Sequence, residues 1–332
     1  MGFHYQDAAS QWWQHWSLSA NAPNSPSFER DMNAVAEARQ HAEAELNRRD
    51  VGDIFVWALL AVYAFARILQ VYPGRVPMLG VVTLHVLPPA IFAVIHGTRA
   101  YRLGGILTFV AITLIVGNFF ENLGVRTGFP FGSYYFTDLM GPKLSAVPIM
   151  LGLAYVGMAY LSWTLAGIIS AGIQSPLRGL RVVAVPVLAS CIMVSWDLSQ
   201  DPVWSTILRA WVWLRGGAYF GVPFTNFFGW FLTVYVIYQS FAVFLRRRPL
   251  MPALSVSHRR QAIIFYGASA GGNFLLVLPQ HRYDVVTDAT GVQWSASTIT
   301  QTCAVVTVLT MGAFTALAWR RLRDEYDPTE AR

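Results

Sequence analysis

Apolar stretches long enough to cross a bilayer alternate with polar segments along most of this chain. They lie near residues 53–72, 77–95, 104–123, 146–172, 180–196, 225–245, 261–279 and 297–319. A helix needs about 20 mostly apolar residues to cross about 30 Å of hydrocarbon. The pattern therefore predicts an all-α fold, a polytopic transmembrane helix bundle of about eight spans.

The polar residues at the two ends of the chain complete the predicted domain organisation. Residues 1–52 are polar and helix-prone, and they lack the apolar core and cleavage site of a signal peptide. We expect them to form a cytoplasmic lead-in helix. Residues 53–319 are predicted to form a single transmembrane domain that carries the active site, and residues 320–332 a cytoplasmic tail.

The composition is also that of an integral membrane protein. Hydrophobic residues make up 55% of the chain and charged residues 13%, against about 25% charged residues in a soluble domain. Aromatic residues make up 14%, with 12 Trp, and they supply interfacial anchors and the walls of an apolar pocket. We therefore expect a hydrophobic substrate and a location in a membrane; the location expected for the whole chain is a bacterial or archaeal cell membrane, which the composition alone does not indicate.

Positive charge is distributed unevenly between the two faces of the predicted bundle. The formal net charge is +6, with 24 Lys and Arg residues. With eight spans, seventeen of these 24 fall on the side of the termini and six on the other, while Arg67 lies inside the first span. The positive-inside rule then predicts cytoplasmic termini. The charge indicates a topology, and no nucleic-acid partner is expected.

The cysteine and histidine residues suggest neither a metal site nor a redox cofactor. Cys191 and Cys303 both lie in apolar runs, and the seven His show no metal-ligand spacing such as HxxH or HExxH. His85 and His96 are eleven residues apart, which favours packing or a single hydrogen bond over a metal pair. Nucleotide-binding glycine motifs were not found either. We expect chemistry that needs no cofactor.

Three strips of the sequence place polar residues where a membrane disfavours them. The first is NFFENLGVRTGFPFGSYY at 118–135, in which Glu121 follows about 15 apolar residues. A carboxyl group at that depth is a candidate functional group, although an ion pair with Arg126 is an alternative explanation. The glycines that follow predict a close approach of two backbones. Tyr134 and Tyr135 suit either the site or an interfacial aromatic belt.

The second strip is SWDLSQDP at 195–202, where Asp197 and Asp201 lie one helical turn apart. Two like charges at that spacing repel unless a proton or a cation lies between them. Asp201 followed by Pro202 also suits a helix N-cap. Further along, Trp204, Leu208, Trp211 and Leu214 have helical spacing, which predicts an interfacial helix in the 197–224 loop.

The third strip is GGAYFGVPFTNFFGW at 216–230, where Asn226 begins an apolar run and needs hydrogen-bond partners there. Glycines and aromatic residues alternate around it, which also fits simple helix packing. Asp284 and Asp288 repeat the spacing of the second strip in a later loop. We interpret those two as solvated loop acids.

Taken together and in this order, the strips resemble the carotenoid hydratase family of the CruF type, which includes bisanhydrobacterioruberin, γ-carotene and lycopene end-group hydratases. The matching segments are ENLGVRTGFPFGSYYF at 121–136, GPKLSAVPIMLGLAY at 141–155, Trp196-Asp197-Leu198 with Asp201-Pro202, Gly221-Val222-Pro223, Asn226-Phe227 and Gly229-Trp230. The resemblance covers roughly 118–245. It implies addition of water to the terminal double bond of an acyclic carotenoid ψ-end, giving a tertiary alcohol.

Hydration of an alkene needs a proton donor, a pocket that tolerates a carbocation, and a positioned water. Asp197 or Glu121 would be the acid and the other carboxyl would hold water, with Asp201 as a third candidate catalytic residue. Asn226, or whichever aspartate stays ionised, would orient the water. The remaining candidate substrate-binding residues are aromatic or basic: Tyr134, Tyr135, Trp196, Trp230 and Arg126. The expected partners are the carotenoid, water and membrane lipid, with no metal or other cofactor and an undetermined oligomeric state.

Two other functions fit parts of the sequence. The repeated DxxxD spacing is similar to the paired acidic motifs that hold diphosphate through Mg²⁺ in prenyltransferases, but both pairs fall on the predicted outer face, away from cytosolic prenyl diphosphates. Alternatively, Glu121 and Asp197 would form an ion path in a transporter or belong to a carotenoid-binding protein. An inverted repeat of broken helices, typical of transporters, is not evident.

Overall fold

The computed structural model describes residues 53–72, 77–170, 177–247, 254–278 and 284–326. The predicted lead-in helix within 1–52 and the end of the predicted tail lie outside these residues. The chain divides into two compact units, Met1–Phe55 and Val56–Arg332. All cavities and contacts described below lie within the second unit.

The described residues are mainly helical, and the long helices are labelled here in chain order. They are α1 (53–69), α2 (Met78–Thr127), α3 (Ile149–Ile169), α4 (Arg181–Leu198), α5 (Phe224–Arg246), α6 (Val256–Leu275), α7 (Ala296–Thr307) and α8 (Ala313–Tyr326). The described part of each predicted apolar stretch is mainly helical, and the stretch 297–319 covers α7, a wide-turn segment at Val308–Gly312 and the start of α8. The last helix continues past residue 319, where the tail was expected to begin.

Among the described residues, five helical segments are long and apolar enough to cross a membrane. They are Met78–Thr127, Ile149–Ile169, Arg181–Ile207, Phe224–Arg246 and Ala296–Glu325. The chain is therefore a membrane protein with an all-α fold. The total of eight spans and the cytoplasmic location of both termini stay predictions.

Helix α2 contains two of the predicted spans, because its 50 residues are interrupted at Arg102. A straight helix of that length would extend about 75 Å, more than twice the hydrocarbon core. Arg102 has φ 58° and ψ 167°, far from helical values. A Cβ atom at Gly97 would collide with the side chain of Ile106, so the two arms of α2 fold back on each other.

Short strands join the helices in three antiparallel pairs. Strands β1 (Tyr134–Phe136) and β4 (Trp211–Trp213) pair with each other, as do β2 (Lys143–Leu144) with β3 (Val147–Pro148) and β5 (Val285–Thr287) with β6 (Gln293–Ser295). In the first pair Tyr134 lies opposite Trp213, and Phe136 opposite Trp211. This pairing joins the loop after α2 to the loop after α4.

The predicted interfacial helix in 197–224 is wrong for most of that segment. Only one wide helical turn, Val203–Ile207, follows α4. The chain then passes through Arg209, whose φ of 56° is incompatible with a continuing right-handed helix, and enters β4. Trp211 and Trp213 therefore point to the same face of a strand.

Close approach at the glycine-rich strip, which the sequence predicted, is confirmed. Gly128 ends α2 with φ 80°, a conformation that favours glycine. A Cβ atom at Gly229 on α5 would lie 2.9 Å from the Pro130 backbone. Since only glycine permits that contact, α5 packs directly on the turn after α2, and this places Asn226 beside the end of α2.

Candidate active site

Glu121 lies on the second arm of α2, with a relative exposure of 3%. Both of its carboxylate oxygens accept hydrogen bonds from tyrosine hydroxyls. Tyr134 of β1 donates to Oε2 at 2.5 Å, and Tyr155 of α3 donates to Oε1 at 2.6 Å. Three separate elements therefore hold this carboxyl group in place.

The two tyrosines are themselves fixed by aromatic packing. The Tyr155 ring stacks on Trp230 of α5, with centroids 4.7 Å apart and planes within 6°, and Tyr134 packs against Trp213 at 4.9 Å. Burial raises the pKa of the Tyr134 hydroxyl well above its usual range. Tyr134 therefore keeps its proton near neutral pH and remains a hydrogen-bond donor.

Asp197 and Asp201 meet at a single amide group. The Nδ2 atom of Asn226 donates to Asp197 Oδ2 at 3.0 Å and to Asp201 Oδ2 at 2.6 Å. All three residues are buried, with exposures of 3% or less. The sequence indicated that Asn226 needs hydrogen-bond partners in its apolar run. These two carboxyl groups are those partners.

The other oxygen of Asp201 faces the β1–β4 pair. The indole nitrogens of Trp211 and Trp213 lie 3.0 and 3.4 Å from Asp201 Oδ1, and both are donors. Asp201 thus accepts from three side chains, and Pro202 starts the following turn without a side-chain cap. The alternative that Asp201 serves as a helix N-cap is therefore wrong.

The two polar groups face one cavity with an interior volume of about 20 Å³. Glu121 and Asn226 are its polar residues, together with the hydroxyl of Tyr134. The rest of its wall is apolar or aromatic: Phe131, Phe136, Leu151, Trp211, Trp213 and Trp230. A cavity needs about 10–15 Å³ of such volume to hold one water, so this interior has room for about one water molecule.

Two of the predicted site residues lie elsewhere. Arg126 is exposed and donates to the Ser145 hydroxyl at 3.2 Å, so the proposed ion pair with Glu121 is wrong. Five positions along a helix correspond to a rotation of about 140°, which places the two side chains on different faces. Tyr135 is 46% exposed and points away from the cavity, because consecutive residues of a strand face opposite sides.

Trp196 lies at the edge of the site and also lines a second cavity of about 50 Å³. Its ring meets Trp230 edge to face at 6.1 Å. Arg67 and His85 are in the wall of that second cavity, which shares Leu151 and Trp211 with the first. His96 lies away from both cavities, where it stacks on His258.

Several residues of the site carried no clear signal in the sequence. Tyr155 lies inside an apolar run, and only its place in the matched segment 141–155 drew attention to it. Trp211 was predicted to lie on one face of a helix, and Trp213 was not singled out. Their alternation with Val212 was a signal for a strand, but the longer helical spacing concealed it.

The electrostatics of the site depend on neutral donors. Within the described residues, neither an Arg, a Lys nor a His contacts Glu121, Asp197 or Asp201, whose partners are tyrosine, tryptophan and asparagine. Nor does that part of the chain bring three His, Cys, Asp or Glu side chains together as metal ligands.

Asp288, which belongs to the second DxxxD pair of the sequence, lies away from this site. Its carboxylate holds the β5–β6 turn by accepting hydrogen bonds from Thr290 and Trp294.

The candidate active site lies in a part of the chain that matches a protein family. A family model described as carotenoid biosynthesis protein matches residues 78–278. The chain belongs to the carotenoid biosynthesis protein family. No curated protein and no solved structure matches the chain. All the residues that meet at the cavity fall within the matched segment, so this member of the family has a role in carotenoid biosynthesis and a carotenoid-type substrate within a membrane.

Proposed function

We propose that the protein is a carotenoid hydratase that adds water to the terminal double bond of an acyclic ψ-end, giving a tertiary alcohol. The observation that carries the proposal is Glu121, a buried carboxyl group at the wall of an aromatic cavity in a carotenoid biosynthesis protein. Alkene hydration needs an acid, a cation-tolerant pocket and a water, but no oxidant.

Glu121 is the proton donor in this proposal, which chooses between the two acids considered from the sequence. It is the carboxyl group that borders the cavity, whereas Asp197 and Asp201 lie behind Asn226. A neutral acid costs less to bury than a carboxylate. A tyrosine hydroxyl both donates and accepts. One tyrosine therefore accepts from the acid, and both donate to the carboxylate that forms when the proton leaves.

Asn226 positions the water. The two aspartates take up its Nδ2 protons, which leaves its carbonyl oxygen as the acceptor for a water proton. Both aspartates are buried, and among the described residues no cation contacts either of them. Two negative charges so close together would repel, so the pair keeps one proton and carries only one negative charge. In this account Asp197 and Asp201 are positioning residues, and they act through Asn226.

The reaction balances without a further reactant. The alkene π pair takes the Glu121 proton at the carbon that bears hydrogen, and a tertiary cation forms at the neighbouring carbon. Trp230, Trp213 and Tyr134 present aromatic groups that stabilise such a cation by about 0.5–2 kcal/mol each. The water oxygen then bonds to the cation and loses one proton to the Glu121 carboxylate, which restores the acid.

Expression in a lycopene-producing host tests this function. The hydratase proposal requires a carotenoid heavier by the mass of one water at each hydrated end, with the polyene absorption unchanged. A prenyltransferase would instead lengthen the carotenoid, and a transporter or binding protein would leave it unaltered. A lengthened carotenoid or an unaltered one would contradict the proposal, provided that the protein is present in the membrane fraction.

A further inference from the structure

A groove runs along the lipid-facing surface between the second arm of α2 and helix α3. We call it the α2–α3 groove, and its volume is about 210 Å³. Its floor contains Gly117 and Gly152, and Thr113 marks the end farthest from Glu121. The walls are almost entirely apolar, so the groove is suited to a hydrocarbon chain.

The groove ends at the candidate acid. Glu121 and Leu151 line both the α2–α3 groove and the aromatic cavity, and Tyr155 lines the groove while donating to Glu121. A chain that lies in the groove therefore points its end at the carboxyl group. This continuity separates the groove from an ordinary surface depression between two helices.

The rim of the groove is open to the bilayer. Leu114, Leu144 and Ile149 are 39%, 63% and 50% exposed, and they stand at its edge. Exposed apolar residues of a membrane protein contact lipid tails. A substrate dissolved in the bilayer can thus enter sideways, without passing through water.

The length of the groove limits how much of a carotenoid it contacts. Thr113 and Glu121 are eight residues apart on one helix, which corresponds to about 12 Å. With C–C bonds near 1.5 Å, an extended chain covers that distance with about ten carbons. A carotenoid backbone is several times longer, so its remainder lies in the lipid.

We propose that the α2–α3 groove binds the end segment of an acyclic polyene that enters from the bilayer, and that it selects for the structure of that end and not for overall chain length. This inference rests on the proposed function for the identity of the polyene. An acyclic ψ-end carries only methyl branches and is slimmer than a ring. We therefore expect the groove between the two helices to admit the acyclic end and to exclude a ring at the same position, such as that of β-carotene.

The first test measures binding separately from turnover. In cells that make lycopene, the Glu121→Gln variant is purified and the polyene retained per protein is measured by absorbance. Adding Gly117→Leu to this variant fills the floor of the groove and should reduce retained polyene about tenfold or more, since the new side chain occupies the space of the hydrocarbon chain. Gly152→Leu, on helix α3, should act in the same way.

Gly104→Leu is the matched control, because it adds the same side chain to the same helix where no other atom lies within 4 Å of the new Cβ. It should retain lycopene fully. Gly117→Ala should also retain it, since its Cβ would make only ordinary contacts with Tyr155 at 3.6 Å. Retention that is equal in Gly117→Leu, Gly152→Leu and Gly104→Leu overturns the groove proposal.

The second test compares substrates. In the otherwise unaltered protein, lycopene and a shorter acyclic polyene with the same ends should be hydrated at comparable rates, and the Glu121→Gln variant should retain much less β-carotene than lycopene when each is supplied. Strong dependence on length overturns the selectivity proposed for the groove. The two proposals fail separately: groove-dependent retention without any alcohol would contradict only the hydratase function, and hydration unaffected by Gly117→Leu would contradict only the groove.

Discussion

Replacing Glu121 by glutamine removes the transferable proton while keeping the shape of the side chain. The amide oxygen still accepts from one tyrosine hydroxyl, and the amide nitrogen donates to the other tyrosine, which turns to accept. Both short contacts are therefore preserved. The neutral amide also avoids the cost of a buried charge, so we expect the variant to insert and fold.

The expected loss of activity follows from the role assigned to the carboxyl group. General acid catalysis contributes about 10²–10⁴ in rate, which corresponds to about 2.7–5.5 kcal/mol of transition-state stabilisation. A purely structural Glu121 would lose at most the difference between two sets of neutral hydrogen bonds, about 0.5–1.5 kcal/mol. The two roles therefore differ by at least about eightfold in rate.

The assay compares initial rates of alcohol formation in membranes that contain equal amounts of each protein. Asp138→Asn is the matched control, because it makes the same chemical change at an exposed carboxylate whose partner is Lys143 at 2.9 Å. A hydrogen bond from Lys143 lowers the pKa of Asp138, and this residue lies outside the cavity. Asp138→Asn should hydrate normally. Glu121→Gln activity within about threefold of the unaltered protein would refute Glu121 as the acid.

Three further predictions follow from the geometry. Asp201→Asn should reduce both activity and thermal stability. The new amide nitrogen would face the N–H donors of Trp211 and Trp213 or of Asn226 instead of an acceptor, and a buried unsatisfied donor costs about 1–3 kcal/mol. A variant as stable as the unaltered protein would contradict this. Tyr134→Phe should slow hydration about tenfold or more, given about 1.5–3 kcal/mol for a hydrogen bond to a charged group, whereas Tyr135→Phe should leave the rate unchanged; equal effects in the rate assay would be inconsistent with the strand geometry. Cysteines introduced at Ser133 and Ser257 should react with an impermeant maleimide from opposite sides of the membrane, and labelling of both from one side would refute the predicted topology.

Much of the scaffold could be predicted from hydrophobic periodicity. The apolar stretches coincide with helices, because the bilayer core holds no water and a spanning backbone must pair its own N–H and C=O groups. The glycine-rich strip predicted a close approach of two backbones, which is the contact of α5 with the turn after α2. The need of Asn226 for polar partners inside an apolar run pointed correctly to a buried hydrogen-bond cluster.

The parts that were missed depend on conformations that local patterns do not encode. Trp204, Leu208 and Trp211 do have helical spacing, but the positive φ of Arg209 ends the helix between them. Asp201 and Pro202 resemble the start of a helix, yet tertiary contacts with two indoles take the carboxyl group instead. Tyr155 became a site residue through its distance to Glu121, a contact that spacing along the chain cannot reveal.

The central claim is that the oxygen of the product comes from water through a protonated alkene. Membranes that contain the protein and lycopene are incubated in water enriched in heavy oxygen, without dioxygen, and the carotenoid product is weighed by mass spectrometry. The account predicts an alcohol that forms under these conditions and carries the heavy isotope at its hydroxyl group. An alcohol that forms only with dioxygen, and takes its oxygen from that gas, would contradict hydration.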